Sequence, residues 1–282
     1  MILFFAPGGR LGNLMFQLSY LQSIKKPRER VLCTGLNGAK RSLAGLDRFY
    51  GLEGALVPLV LKWGLWLVIK VGFLDSRLFG QIEEREDGQI IVRRGWLPVR
   101  VVGGFFQFPQ GPTPEGRKIL QPRAVYRERA KQVYQTATRS RTLFLHIRRT
   151  DYTFFRLENG RHLDLPLSYY QEALQQFGDL GQFHVFVVGD DQTWAREHFS
   201  WLPNKTFSSL GPLEDLALMA LCGGGVVSNS SFAWWGGRTC RRSEPIIGPR
   251  YWIGWNMGYW RPPGVQHERF VFLPVKDEGA LW

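Results

Sequence analysis

Apolar positions along this chain fall into two alternating patterns. Short unbroken runs such as MILFF at residues 1–5, VLCT at 31–34, TLFLHI at 142–147, HVFVV at 184–188 and GVVSN at 225–229 are bounded by glycine, proline or charged residues. Such runs read as strands buried on both faces, as parallel strands are. Between them lie stretches with helical spacing, starting near Gly12, Gln192, Pro212 and Ser231, and another over 123–136. Alternation of this kind predicts a doubly wound α/β protein. It is cleanest from Thr142 onward. The stretch 75–122, rich in Gly and Pro and carrying the charged run Glu83 to Asp87, reads as irregular or as short strands. Two domains are therefore expected, 1–138 and 139–282. The apolar stretch 55–74 is long enough to cross a bilayer, but Pro58, Lys62 and Lys70 interrupt it. Lysine near a bilayer centre is costly, so the segment reads as a buried core helix, with an interfacial helix touching a membrane surface as the alternative.

Composition sharpens this picture. A chain of 282 residues with 44% hydrophobic and 14% aromatic content has a sizeable core to bury and is not a disordered protein. Its net charge of +12 comes mostly from arginine, 27 Arg against 9 Lys. The guanidinium fork suits phosphates, carboxylates and acidic glycans better than an ammonium does. No basic-aromatic array marks a nucleic-acid surface, and none is expected. Cys33, Cys222 and Cys240 are odd in number and lack disulfide or metal spacing, which points to a reducing compartment. The N-terminus has no charged leader before its apolar run, so the expected location is cytoplasmic, or peripheral to an inner membrane.

The first strand runs into an unusual turn, APGGRLGN. A strand, a glycine-rich turn and a helix are the elements of a nucleotide phosphate site. The dinucleotide fingerprint nevertheless fails. Pro7 stands where its first glycine belongs, and the second strand runs into Gly35-Leu36-Asn37 with no carboxylate for a ribose. The turn still lets a backbone approach something closely, and a mere tight turn is the other reading.

Three later stretches carry candidate chemistry. In TLFLHIRRTDY, His146 and Arg148 lie two apart on a strand and share a face near its carboxyl end, where open α/β sheets bind ligands. A buried arginine needs an anionic partner, which could be a ligand or simply Asp151. In HVFVVGDDQTW, Asp190 and Asp191 stand at the same sheet edge, where they could meet a ligand or cap the next helix. In LGPLEDLALMALCGGGVVSNSSFAWWGG, Pro212 opens a helix with Glu214 and Asp215 in its first turn. Ser228, Asn229, Ser230, Ser231 and Phe232 then join a strand end to a helix N-terminus, offering hydroxyls and free N–H groups to an anion. Trp234 and Trp235 read as core. No D-x-D pair and no His/Cys/carboxylate cluster with ligand spacing occurs, so no metal is expected.

Taken in order, GGRLGNLMFQ, LHIRRTDY, VVGDD and SNSSFAWWGG resemble glycosyltransferase family 11, the α-1,2-fucosyltransferases, in their bacterial form. The match lies mostly in the last two-thirds of the chain. The resemblance implies a GT-B fold, two Rossmann-like domains facing each other across a donor cleft. It implies that Arg148 binds the β-phosphate of GDP-fucose, that His146 lies near the guanosine and that Asp215 pairs with guanine. The turn from Ser230 to Phe232 would contact the diphosphate, and Ser228, Asn229, Asp190 and Asp191 are the other candidates for donor binding. The loop from Gly9 to Asn13, including Arg10 and Gly12, would close over the donor, with Arg10 and Asn13 facing the cleft. Animal members carry a membrane anchor, and none is expected here.

The expected reaction is thus metal-free, inverting transfer of fucose from GDP-β-L-fucose to the 2-hydroxyl of a terminal β-galactoside, with no cofactor beyond this substrate. Arg148 would stabilise the leaving phosphate, Asn13 would assist, and Asp151 would take the acceptor proton, with Glu158 and Asp164 as competitors for that role. The competing classes are fucosyl transfer to another position, a non-catalytic nucleotide or glycan binder, and an oxidoreductase, the last disfavoured by the missing ribose carboxylate.

Overall fold

A computed structural model of the chain describes residues 1–5, 9–34, 36, 39–46, 49–51, 63–64, 67, 77–85, 87–107, 120–157, 159–241 and 243–276. They form two compact units, Met1–Arg123 and Ala124–Trp282. The division therefore falls before the helix over Ala124–Tyr134, which the sequence pattern had placed on the amino-terminal side. Most of 55–74 lies outside the described residues, and among those described no helix is long and apolar enough to cross a membrane.

The first unit runs β1 (Ile2–Phe5), α1 (Leu11–Ile24), β2 (Val31–Thr34), the single-turn α2 (Ala39–Ser42), β3 (Phe49–Gly51), β4 (Gly80–Glu84), β5 (Ile90–Arg93) and β6 (Arg100–Gly103). These strands form one sheet in the order β3-β2-β1-β6-β4-β5. All neighbours are parallel except β4 and β5, an antiparallel edge pair. Strand β6 sits beside β1 at the centre, with Val101 and Val102 fully buried. The Gly/Pro-rich stretch thus contains a core strand of only four residues, too short to stand out by periodicity. Helix α1 buries Met15, Phe16, Leu18 and Leu21, and the chain leaves it at Lys25 in extended conformation, two residues before Pro27.

The second unit runs α3 (Ala124–Tyr134), β7 (Arg141–Ile147), α4 (Leu167–Gln175), β8 (Phe183–Gly189), α5 (Gln192–Phe199), β9 (Lys205–Phe207), α6 (Pro212–Leu221), β10 (Gly224–Val226), α7 (Ser231–Thr239), β11 (Ile246–Pro249) and β12 (Phe270–Leu273). Its sheet is wholly parallel, in the order β12-β11-β10-β7-β8-β9. Six of the seven residues of β7 are buried, because a parallel strand covered by helices on both faces has no solvent side. Leu143, Leu145 and Ile147 pack with Tyr169, Tyr170, Val185 and Phe199 into the main core. Trp234 and Trp235 are fully buried, and Trp234 Nε1 donates to the Val265 carbonyl at 2.9 Å. All three cysteines are free and buried.

Strand order now fixes where a ligand belongs. From β7 the chain moves outward through β8 to β9, then returns through α6 to β10 on the other side of β7. The carboxyl ends of β7 and β10 therefore flank a topological switch point, where open α/β sheets leave a crevice. In the first unit, β1 leads outward to β2 and β3, and β6 returns to its other side, so its switch point lies between β1 and β6.

Candidate active site

Strand β7 delivers His146 and Arg148 to its switch point. His146 is 3% exposed, and Nδ1 lies 3.0 Å from Ser228 Oγ, just past the end of β10. The ring of Phe232 stands 5.5 Å from the imidazole. Burial drives the His146 pKa down to about 4, against a smaller upward pull from Asp190, so the ring is neutral near pH 7. It works by hydrogen bonding there, not by charge.

Arg148 has found the anionic partners its burial requires. Its side chain is 13% exposed, with Nη2 2.6 Å from Asp151 Oδ2 and Nη1 3.1 Å from Asp190 Oδ2. Leaving such a group unpaired would cost about 3–5 kcal/mol. The guanidinium also lies 5.0 Å from the ring centroid of Tyr152, whose hydroxyl donates to the Asn229 carbonyl at 3.4 Å. Tyr152 thereby joins the arginine motif to the Ser228–Phe232 turn.

Asp190 is the staple of this edge. Besides Arg148 it accepts from the Arg149 N–H at 2.9 Å and from Thr150 Oγ1 at 2.8 Å. Its position depends on Gly189, at φ +141°, where a Cβ would lie 2.0 Å from the Ile147 carbonyl oxygen. Only glycine lets the end of β8 pass β7 this closely. Asp191 caps α5, accepting from the Trp194 N–H at 3.0 Å. Arg149 points the other way, 3.0 Å from Asp164 and 4.4 Å from the Trp194 centroid. Of the three acids set beside Arg148 as candidates for the acceptor proton, Asp151 contacts that arginine, Asp164 contacts Arg149, and Glu158 lies outside the described residues.

Ser228 and Asn229 are fully buried, and Asn229 Nδ2 donates to the Leu163 carbonyl at 2.8 Å. Ser230 caps α7 by accepting from the Phe232 N–H at 3.3 Å. The hydroxyl of Ser231 begins the first turn, so the helix opens beside His146 with its positive end toward the switch point. Asp215 is set back in α6, 7% exposed, accepting from Ser208 Oγ. Burial raises its pKa to about 7, assisted by the charge of neighbouring Glu214 and opposed by the Ser208 bond.

The glycine-rich turn sits at the other switch point, in the first unit. Gly9 has φ +105°, and a Cβ there would meet Asn13 Nδ2 at 2.6 Å. The amide of Asn13 thus lies directly over the glycine, and its Oδ1 accepts from Gln107 Nε2 at 2.8 Å. Gln107 follows β6 in a turn organised by Glu84, which accepts from the N–H groups of Phe105 at 2.7 Å and Phe106 at 2.5 Å. Burial raises the Glu84 pKa, against those backbone bonds. Arg10 precedes α1 and is exposed, whereas Gly12 is buried in the first turn. Gln107, Glu84, Thr150, Tyr152 and Ser208 carried no role in the sequence pattern. Thr150 and Tyr152 stand inside LHIRRTDY, the other three in no motif, and each is found only through the residue it holds.

Residues 117–239 match the model of glycosyl transferase family 11. Over 121 residues the chain is 31% identical to the O-antigen biosynthesis glycosyltransferase WbnK of Escherichia coli, a match covering 41% of this chain and 40% of that protein. The chain thus spans about two fifths of the length of that curated relative. Among solved structures it is similar to a glycosyl transferase family 9 protein from Veillonella parvula DSM 2008, with a TM-score of 0.54 and 10% identity over 99% of this chain and 88% of that one. It is also similar to fucosyltransferase NodZ from Bradyrhizobium, with a TM-score of 0.50 and 11% identity over 83% and 91%. At such identities the likeness is one of fold, and the fold is GT-B-like.

Proposed function

We infer that this chain, whose residues 117–239 are a glycosyl transferase family 11 segment, moves L-fucose from GDP-β-L-fucose to the 2-hydroxyl of a terminal β-galactoside, with inversion and without a metal ion. The observation that carries this reading is the grouping at the β7–β10 switch point. There a neutral histidine and a sheltered arginine, two residues apart at the end of β7, meet the opening of α7. The name of the E. coli relative supports a bacterial surface glycan as acceptor.

In the reaction, the bond from fucose C1 to the β-phosphate oxygen breaks and its electron pair leaves with GDP. The galactoside oxygen bonds to C1 from the opposite face, and its proton passes to a carboxylate. Negative charge growing on the β-phosphate is met by Arg148 and by the first N–H groups of α7. Arg148 already holds two carboxylates, and a phosphate arriving at its fork competes with them. Asp151 is the more exposed of the pair, 36% against 22% for Asp190, and Asp190 is also tied to Arg149 and Thr150. Phosphate binding therefore displaces Asp151, freeing a carboxylate beside the reacting centre to accept the proton. Asp215 accepts from N1–H and the exocyclic amine of guanine, which adenine lacks in that arrangement. The deciding experiment combines calorimetric titration with GDP, ADP and NAD and a fucose-transfer assay on a β-galactoside in excess EDTA. GDP-selective binding with EDTA-resistant transfer is the expected result; no transfer, or transfer abolished by EDTA, overturns it.

A further inference from the structure

The arginine motif leads into a pinned turn. The Thr153 N–H donates to the Arg149 carbonyl at 2.9 Å, and the N–H groups of Phe154 and Phe155 both donate to the Asp151 carbonyl, at 3.2 and 3.0 Å. These are the bonds of one helical turn, on which positions three and four apart share a side. Phe154 and Phe155 therefore come round to the side that carries Asp151. Further contacts fix the turn. Thr153 Oγ1 donates to the Thr150 carbonyl at 3.0 Å, the Leu163 N–H donates to the Tyr152 carbonyl at 3.3 Å, and residues 156 and 162 pair as an antiparallel bridge. The chain on either side of the two phenylalanines is thus held, and their placement belongs to the fold.

This held turn keeps both rings in water. Phe154 is 85% exposed and Phe155 60%, the two most exposed phenylalanines among the described residues. The tyrosine of the same turn does the opposite, since Tyr152 lies 5.0 Å from the Arg148 guanidinium and donates to the Asn229 carbonyl. A single apolar side chain at a surface is ordinary, whereas adjacent aromatic rings at the rim of a site mark a contact. The face of an aromatic ring is negative and attracts polarised C–H groups. A β-galactoside offers such groups. Its C–H bonds at C3, C4 and C5 lie along one face of the ring, and the axial 4-hydroxyl points from the other. Stacked by that face, the sugar keeps its hydroxyls free for the carboxylate beside the rings.

We propose that Phe154 and Phe155 form the platform on which the acceptor pyranose stacks, with its reacting hydroxyl presented to Asp151. The platform rests on the transferase reading above and adds to it the seat of the acceptor. Asp151 then stands between the donor phosphate, held by Arg148, and the acceptor, held by the rings.

The test compares the full chain with Phe154→Ala, Phe155→Ala and the double variant. Two reactions are followed: fucose transfer to methyl β-D-galactopyranoside, and hydrolysis of GDP-fucose, in which water replaces the acceptor. Both rings lie outside the core, so thermal midpoint and GDP affinity should keep their parent values. Acceptor KM should rise at least about tenfold in the double variant, from the lost burial of two ring faces, while hydrolysis is unchanged. Joint replacement by tyrosine, Phe154→Tyr with Phe155→Tyr, keeps both aromatic faces and should restore most of the parent KM. An unchanged KM in the double alanine variant overturns the platform. If that variant has also lost self-association or binding to phosphatidylglycerol vesicles, the rings serve a second copy or a membrane instead. A lowered thermal midpoint overturns it too, because the rings then pack on the protein itself. A parent chain that transfers no fucose overturns the transferase reading, whatever the variants do, and with it the acceptor role of the rings.

Discussion

The two units place functional candidates at equivalent points of equivalent sheets, yet the two edges are built from opposite materials. At the β7–β10 edge, two arginines meet four carboxylates. At the β1–β6 edge, one neutral amide rests on a glycine and is held by another neutral amide. A switch point supplies only a crevice; the side chains decide what fills it. The charged edge is suited to binding an anion and to stabilising charge that grows during a reaction. The neutral edge is suited to close approach, since its carboxylate, Glu84, is spent on the N–H groups of its own turn. If this division is right, substitutions at the first should damage chemistry and nucleotide binding, and substitutions at the second should alter rate modestly.

Arg148→Ala carries the largest expected effect, because it removes the cation and leaves Asp190 and Asp151 facing each other. In a fucose-transfer assay kcat should fall about two to three orders of magnitude, the usual loss for one preorganised donor. Activity within tenfold of the parent would remove Arg148 from the mechanism. Asp151→Asn comes next. If displacement by phosphate arms Asp151, transfer should fall about a hundredfold, the lower end for general base catalysis. GDP affinity should meanwhile stay within about threefold, less than 1 kcal/mol. The acidic limb of the pH–rate profile should vanish from the residual activity. A parallel fall in GDP affinity and rate would make Asp151 an orienting partner of Arg148 only.

Asp215 tests whether the charged edge reads the base through an ionised carboxylate. Burial raises its pKa to about 7, so the free protein holds a proton there at lower pH. Guanine's two N–H donors require the carboxylate, so binding must release that proton. GDP affinity should therefore weaken as pH falls below 7, by about tenfold between pH 7 and pH 6 at most. Asp215→Asn should flatten that dependence and weaken GDP by about 1–3 kcal/mol at pH 8. Because the GDP phosphate titrates in the same range, the variant is the control. A slope that persists in it belongs to the phosphate and not to Asp215.

These edges also differ in how far the sequence announced them. β7 and β8 are buried on both faces, so their apolar runs stood out, and the next residues were necessarily at a ligand-binding edge. His146, Arg148, Asp190 and the Ser228–Phe232 turn follow from that logic, and the structure brings them together. Asp190 and Asp191 look alike in sequence, and only the packing of Gly189 against Ile147 separates a staple from a helix cap. The neutral edge was harder to read. Gly9 and Asn13 lay in a visible motif, but their partner lies 94 residues away in sequence, after a four-residue strand. Glu84 stood in a charged run that resembles a solvated surface, and only its three-dimensional position reveals the turn it holds.

The smallest expected effect is the sharpest test of the neutral edge. Gln107 donates to Asn13 Oδ1 and thereby fixes which end of the Asn13 amide faces away from it. Gln107→Ala removes the bond but leaves Asn13 above Gly9. A neutral hydrogen bond contributes about 1 kcal/mol, so kcat should fall about three- to tenfold with GDP affinity unchanged. Gln107→Glu separates position from polarity. A carboxylate accepts but does not donate, so the Asn13 amide must turn over and offer Nδ2 in place of Oδ1. The bond is then restored with the amide dipole reversed. If Asn13 serves only as a filler above the glycine, Gln107→Glu should recover the rate lost in Gln107→Ala. If the Asn13 amide group itself contacts substrate, Gln107→Glu should be slower than Gln107→Ala despite its restored bond. Gly9→Ala bounds the comparison from the other side. Its Cβ would collide with that same amide at 2.6 Å, in a backbone conformation alanine resists, so it should cost both stability and rate where Gln107→Ala costs rate alone.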